Sequence, residues 1–522
     1  MKAFGERGRS FPVLWLAATA LVCGGVVMVV ELLGARMLSV GYGASLFVWA
    51  AMISVTLTSL AVGYFAGGAL ADRVPRPSVL YGIVMGAGLL LVACPHTRPV
   101  LKACYARWGL RYGALASSVV VFFLPLGLLG MVSPFVIRLV SERGKGIGLT
   151  AGGIYALSTV GSVAGTLLAG LYLIPELGTT MGFRIAALTG GVVALVGLVL
   201  ALGLRGAVAA VVPVAVALVP GPDVGAGYSY TAPDGEPVTV KAVEDSAHGH
   251  IVVLEKGHYH LLVVNGIVQT GIFKDISHLA PAQLLKDHYF LELLPYAYDD
   301  PREAKGLLIG LAGGLIATVL RQHGMEVESV ELDPALIRIA RESFWFRGPA
   351  VAADGRRFLE DCTERYDFCI IDTYSGDTFP FHLTSLEAFQ AARDVLADDG
   401  ILAVNFIGSP TGLAFASAYH TVGQVFPHVR AIQSEAGDSV QPIVIFASAE
   451  PIQFNRGWLG ELGVFDGVDP ISAAIARLTV EPDTTDALLL TDDHNPIDLI
   501  RSDEALRWRR RTIQELGDPL WF

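Results

Sequence analysis

The chain has 522 residues, 53% of them hydrophobic and 16% charged, with a formal net charge of −12. That average joins two unlike parts: residues 1–220 hold 15 Lys and Arg against 5 Asp and Glu, and the remainder holds 22 against 44. A formal +10 segment therefore precedes a formal −22 segment, and the acidic second half argues against a nucleic-acid partner, whose phosphates it would repel, and suits a cationic small molecule.

In chain order, runs of Leu, Val, Ala and Gly long enough to cross a bilayer core lie near 12–33, 45–70, 78–95, 113–138, 150–174, 184–204 and 206–220. The last is short and contains Pro213, so six or seven helices are expected in an integral membrane domain over 1–220. The first run exceeds a signal-peptide core and is expected to remain as a span. Gly161 and Gly165, four apart, would form a flat stripe on one helix and are read as packing residues. Glu31 and Arg36 are read as a structural pair or an interfacial carboxylate rather than as a substrate or proton site. The basic loop residues do not choose an orientation, because Arg98, Lys102, Arg107 and Arg111 oppose the trend set by the other loops. Cys94 and Cys104 bracket one loop, and the five cysteines show neither metal-ligand spacing nor a disulfide framework.

After Pro220-Gly221-Pro222 the pattern changes to short alternating segments. The runs 250–254 and 260–264 flank Glu255-Lys256-Gly257 and predict a β-hairpin, within a linker and hairpin region over 221–300. Pairing about that turn would set His250 opposite Leu262 and His260 opposite Val252, so His248, His250, His258 and His260 would not converge on a metal. A βα alternation then begins in the region 301–522. The buried strand 306–310 leads through Leu311-Ala312-Gly313-Gly314 into a helix, and the strand 327–331 ends on Glu331. Glycines let the backbone approach a ligand, and an acid about twenty residues on can accept from ribose hydroxyls, so the pattern predicts a nucleoside site. Asp354, beside Gly355, stands where an adenine amino group could donate. Asp372 ends the apolar run 366–372, as a ligand-facing acid or as a helix cap. Ala397-Asp398-Asp399-Gly400 predicts a turn before the strand 401–405. The basic stretch 506–511 predicts a helix that faces solvent or an anionic lipid surface.

From about His248 to Asn405 the sequence resembles the spermidine synthase (polyamine aminopropyltransferase) family, and the whole chain resembles the bacterial proteins in which a membrane domain is fused to such a unit. The resemblance is carried by the hairpin with Val264-Asn265-Gly266-Ile267-Val268-Gln269-Thr270, the glycine loop at Gly310, Glu331, Asp354-Gly355 and Asp372, and by the stretches 154–161 and 490–496. It implies a transmembrane helical bundle followed by a β-hairpin region and a doubly wound, Rossmann-like sheet of the class I methyltransferase kind. It implies decarboxylated S-adenosylmethionine as co-substrate, no metal, and a polyamine such as putrescine as acceptor. Glu331 would hold the ribose, Asp354 the adenine with Pro380 close by, and Asp372 the amine as acid/base, with Gly310, Gly313 and Gly355 around the nucleoside. Gln269, His278 and Asp377 would serve the acceptor. The sequence departs from the family at Ser375, where a second aspartate is usual, and at Gly313, where the glycine loop usually has an acid. Partners expected are the polyamine and the bilayer, with a homo-oligomer left open. The location expected is a bacterial inner membrane with the catalytic domain cytoplasmic. Two alternatives stand beside this reading: an S-adenosylmethionine-dependent methyltransferase, which shares the glycine loop, Glu331 and Asp354, and a polyamine transporter or sensor. The last is suggested by Glu31 and by Gly67–Arg73, which resembles a loop of major-facilitator transporters.

Overall fold

A computed structural model of the chain describes residues 11–43, 46–141, 146–203, 225–274, 290–374, 376, 379–454 and 477–517. The chain divides into two compact units, one built mainly from Met1–Val224 and the other from Gly225–Val243 and His248–Leu520.

The first unit is helical: α1 Val13–Tyr42, α2 Leu46–Arg73, α3 Pro77–Ala93, α4 Arg98–Gly130, α5 Val132–Ser141, α6 Ile147–Leu168 and α7 Gly178–Leu202. Among the described residues, five continuous stretches are long and apolar enough to cross a membrane: Val13–Tyr42, Phe47–Arg73, Pro77–Gly109, Tyr112–Ser141 and Ile147–Leu202. The last has 56 residues, which as a straight helix would reach about 84 Å, far beyond a core of about 30 Å. A π-helical segment, Ala169–Leu177, containing Pro175 and followed by Gly178 at φ +76°, interrupts it between α6 and α7. The predicted run at 206–220 lies outside the described residues. Cys23, Cys94, Cys104, Cys362 and Cys369 are free thiols.

Helix α6 meets α1 backbone to backbone. A Cβ on Gly161 would overlap the carbonyl of Leu21, and one on Gly165 would overlap that of Gly25. Ser162 Oγ donates to the Gly24 carbonyl at 3.0 Å. Neither overlap involves a flexible side chain that could yield, so Gly161→Leu should drive the helices apart. We expect its thermal midpoint in detergent to fall by 10 °C or more, on the order of the 1–3 kcal/mol typical of overpacking or beyond it. Gly170→Ala is the control, since nothing stands within 4 Å of its added Cβ. Equal midpoints for the two variants would refute the packing assignment.

The second unit contains two sheets. Five antiparallel strands lie in chain order: β1 Ser229–Thr231, β2 Pro237–Asp245, β3 His250–Lys256, β4 Tyr259–Val264 and β5 Ile267–Phe273. The β3–β4 hairpin differs from its predicted register: Lys256 pairs with Tyr259 and His260 with Glu255. The reversal uses two residues, Gly257 and His258, with Gly257 at φ +53°, a tight turn that shifts the centre of pairing and separates His260 from Val252. His250 is buried, His248 and His258 are exposed, and His260 packs against Trp345, the rings tilted by 35° with centroids 5.4 Å apart.

The larger sheet comprises β6 Lys305–Ile309, β7 Glu326–Glu331, β8 Ala350–Ala352, β9 Tyr366–Ile371, β10 Leu396–Gly408, β11 His428–Gln433, β12 Gln441–Ser448 and β13 Thr479–Val480. Its order is β13-β11-β12-β10-β9-β6-β7-β8. Strands β8, β7, β6, β9 and β10 run parallel, while β12 lies antiparallel between β10 and β11. Parallel strands covered on both faces read as unbroken apolar runs, and Leu307, Leu308, Phe368, Cys369, Ile370 and Ile371 are all fully buried. The predicted turn at 397–400 is instead part of β10. Its pairing with β9 jumps from Leu396↔Tyr366 to Ile401↔Phe368, so the extra residues are absorbed as a bulge. Strand order reverses between β6 and β9: β7 and β8 follow on one side of β6, β9 and β10 on the other, and that switch point opens a crevice beyond the carboxyl ends of the strands.

Candidate active site

The crevice is a cavity of about 1010 Å³ lined by residues from both sheets of the second unit, among them Gln269, Gly310, Glu331, Asp354, Asp372 and Pro380. Among the described residues its wall also carries Asp234, Glu236, Asp333 and Glu515 against Lys256 and Arg511, a balance that favours a cationic ligand.

Gly310 directly follows β6 at φ +93°, and a Cβ there would overlap the backbone carbonyl of Asp372. Only glycine allows both the backbone angle and the contact between the two strand ends. Glu331 ends β7 and is 8% exposed. Its Oε2 accepts from the amides of Leu311 at 2.9 Å and Ala312 at 3.2 Å, and its Oε1 accepts from that of Asp333 at 3.0 Å. Burial raises its pKa despite these three bonds. The carboxylate thus holds the glycine loop in place, and about four lone-pair sites on its two oxygens leave capacity for one further donor. Gly313 donates its amide to Thr270 Oγ1 at 3.2 Å, and the Thr270 side chain fills the space a side chain at 313 would need.

Asp354 caps the helix α10 Gly355–Asp361, its Oδ1 accepting from the Arg357 amide at 2.9 Å. (Helices α8 Leu315–Gln322 and α9 Pro334–Ser343 precede it.) The other oxygen of Asp354 lies 3.7 Å from His382 Nε2. A Cβ on Gly355 would overlap Ile309, which fixes α10 close against β6. Pro380 stands at the start of the short helical turn Phe381–Leu383, half-buried on the cavity wall.

Asp372 directly follows β9, and its amide donates to the Ile309 carbonyl at 2.9 Å. Its Oδ1 accepts from Asn405 Nδ2 at 2.8 Å. Gln269 Nε2 donates to the Gly376 carbonyl at 3.0 Å, tying the second strand layer to the loop after Asp372. His278 and Asp377 lie outside the described residues, as does Ser375.

Several residues of this neighbourhood are absent from the sequence prediction. Tyr374 is held by the Ile407 amide, which donates to its hydroxyl at 2.6 Å, and burial pushes that phenol up to about 12. Arg501 lies over the Tyr374 ring at 5.4 Å and donates from Nε to the Ile407 carbonyl at 2.7 Å. After α11 Leu386–Asp394, α12 Leu413–Gly423 and α13 Ile497–Ile500, the final helix α14 Ser502–Leu516 contains the basic stretch expected to face solvent or lipid. Arg509 is instead 1% exposed and donates to the Asn265 carbonyl at 3.0 Å, while Trp508, Thr512 and Leu516 form part of the cavity wall. A run of arginines gives no sign in sequence of which one turns inward.

Sheet order, switch-point cavity and acids at successive strand ends define a class: a doubly wound α/β unit of the class I methyltransferase-like architecture. Comparison with known proteins narrows it. No family model matches the chain. The polyamine aminopropyltransferase 1 of Streptomyces coelicolor is 26% identical over 448 residues, 80% of each chain, a length that exceeds either unit. The polyamine aminopropyltransferase of Vibrio vulnificus is 26% identical over 217 residues, 39% of this chain and 71% of that one. The N-terminal histidine N-methyltransferase of Emericella nidulans is 27% identical over 181 residues, 31% of this chain, which spans about a third (32%) of that relative. Among solved structures, the spermidine synthase from Thermotoga maritima matches 55% of this chain and 97% of its own at 19% identity and a TM-score of 0.38. The chain is similar to the polyamine aminopropyltransferases.

Proposed function

We propose that the second unit is an aminopropyltransferase that uses decarboxylated S-adenosylmethionine and an amine such as putrescine. The observation that carries this reading is the single acidic cavity that Glu331, Asp354, Asp372 and Gln269 line together. In it Glu331 accepts from a ribose hydroxyl and Asp354 from the adenine amino group. Pro380 packs near the base, and Gly310, Gly313 and Gly355 let the backbone come close. The acceptor nitrogen attacks the propyl carbon bonded to the sulfonium. The C–S bond breaks, its electron pair stays on sulfur, and methylthioadenosine leaves. The nitrogen's proton passes to the carboxylate of Asp372, which is needed because a simple alkylammonium has a pKa near 10. Gln269 orders the acceptor side through Gly376, and the resemblance extends acceptor roles to His278 and Asp377.

The first unit, with its five long apolar stretches, is read as a membrane domain over 1–220. The hairpin region over 221–300 and catalytic region over 301–522 follow it. Supply of the nucleoside from the cytosol puts the catalytic region on the cytoplasmic side of a bacterial inner membrane. No step requires a metal or a nucleic acid. A protease-accessibility test of a C-terminal tag in intact cells checks the orientation: protection supports it and cleavage refutes it.

The Emericella relative favours a second reading, methyl transfer from S-adenosylmethionine. The purified chain given either nucleoside decides between the two: amine-dependent methylthioadenosine supports aminopropyl transfer, and S-adenosylhomocysteine supports methyl transfer.

Trp508 presents an aromatic wall to the same cavity, a surface suited to the alkyl and ammonium groups of a polyamine. Trp508→Ala should raise the KM for the amine about fivefold to thirtyfold, roughly 1–2 kcal/mol, and leave that for the nucleoside within twofold. An unchanged amine KM would remove Trp508 from the acceptor site.

A further inference from the structure

Strand β10 runs Ile401-Leu402-Ala403-Val404-Asn405-Phe406-Ile407 through the middle of the sheet, and Asn405 is its one polar side chain there, 2% exposed. Val404 pairs with Ile371, so Asn405 is the next residue along and stands beside Asp372. Its Nδ2 donates to Asp372 Oδ1 at 2.8 Å. A carboxylate only accepts, which fixes the amide with its NH₂ toward Asp372. Its own Oδ1 is then buried, with no hydrogen-bond partner among the described residues.

That arrangement is expensive for the fold alone. A buried amide oxygen without a donor costs about 1–3 kcal/mol, and a leucine of similar volume would continue the apolar run without it. The contact accounts for the residue through the site. The terminal torsion of an aspartate is broad, and the amide of Asn405 holds the carboxylate plane in one setting without bringing a second charge to it.

We infer that Asn405 is a positioning residue that orients the carboxylate of Asp372 toward the acceptor amine, an inference that rests on the aminopropyl-transfer reading above. Asn405 touches the acid and acts through it. The charged and titratable groups that line the same cavity, among the described residues, are Glu331 and Asp333 at the end of β7, Asp354 before α10, His382 on the following turn, His248 before β3, and, in the rest of the wall, Asp234, Glu236, Lys256, His258, Tyr259, Arg511 and Glu515. Tyr374 follows Asp372, with Arg501 and Glu504 of the C-terminal segment behind it.

The test uses the full chain in detergent, with Asn405→Leu and Asn405→Asp beside wild type. Amine-dependent methylthioadenosine release is followed across pH, equilibrium binding of methylthioadenosine at one pH, and thermal midpoints for all three. Asn405→Leu should lower kcat about tenfold to a hundredfold, with binding within twofold and a midpoint equal to or above wild type. Asn405→Asp sets two carboxylates side by side, which cannot both stay ionised easily. The acid limb of its profile should therefore move up by a pH unit or more, with activity returning at alkaline pH. Leucine activity within twofold of wild type together with an unshifted aspartate profile would overturn the inference. So would activity losses that only track lost binding or lower midpoints, which would mark Asn405 as structural. If wild type itself releases no methylthioadenosine, the aminopropyl-transfer reading fails first, and the inference falls with it.

Discussion

Asp372→Asn should reduce amine-dependent methylthioadenosine release by a factor of about 10²–10⁴, the range a positioned acid or base contributes, with nucleoside binding within about twofold. The substitution conserves shape. Asparagine at 372 can still offer a carbonyl oxygen to Asn405 Nδ2, which now donates to Asp372 Oδ1, and its backbone contacts to Ile309 and beneath Gly310 are untouched. What disappears is the negative charge that attracts an ammonium and the oxygen that takes its proton. At pH 7 an amine of pKa near 10 is unprotonated roughly once in a thousand molecules, so losing the acceptor should slow the step while leaving its nucleoside half intact. The loss should ease as pH rises and the free amine becomes abundant. A variant that retains more than a tenth of wild-type kcat at neutral pH would take Asp372 out of the chemistry.

Glu331→Gln is expected to cost both ligand affinity and stability. Both oxygens of Glu331 accept from backbone amides, so an NH₂ group must replace one acceptor and face a donor. Leaving one or two buried amides without partners costs about 2–4 kcal/mol, and losing a charge-assisted bond to ribose should weaken methylthioadenosine binding about tenfold to a hundredfold. The two effects separate in a melting experiment with and without methylthioadenosine. The unliganded midpoint should drop, and the ligand-induced rise should shrink as well. The pH dependence has a definite sign. Burial raises the folded-state pKa of Glu331, so its contribution to stability is complete below the ordinary glutamate value near 4.3 and is lost as pH rises through the raised value. The ribose contact favours the ionised form, and the ligand-induced rise in midpoint should therefore fall on acidification through the same range in wild type and not in the glutamine variant. A glutamine variant with wild-type midpoint and affinity would contradict the role given to Glu331.

Glu331 was legible from its place at a strand end about twenty residues past the glycine loop, and Asp372 because β9, a parallel strand buried on both faces, is an apolar run that stops there. Gly310 was legible for the same reason, as the glycine that closes the first run. The long apolar helices were legible from apolar length, and the Gly161 and Gly165 contact from spacing, since a four-residue repeat returns to the same helix face. Other features depend on three-dimensional context. The register of the β3–β4 hairpin rests on which two residues make the turn, and sequence placed the reversal a residue or two too early. The acids Asp398 and Asp399 look like turn residues, yet a bulge accommodates them within β10. Asp354 serves as a helix cap and reaches the cavity at once, so local pattern could not separate those uses. Asn405 carries a signal in sequence, one amide inside an apolar strand. Arg501, Trp508 and Arg509 carried none, because a basic amphipathic stretch reads as surface until the partner backbone it meets is known.

The most direct test of the central claim is methylthioadenosine release by the detergent-purified full chain, given decarboxylated S-adenosylmethionine with and without putrescine. The account predicts release that requires the amine, matched by one new aminopropyl-extended amine per methylthioadenosine formed. Absence of release from protein that still binds methylthioadenosine, or release indifferent to the amine, would contradict it and leave the cavity to methyl transfer or nucleoside sensing.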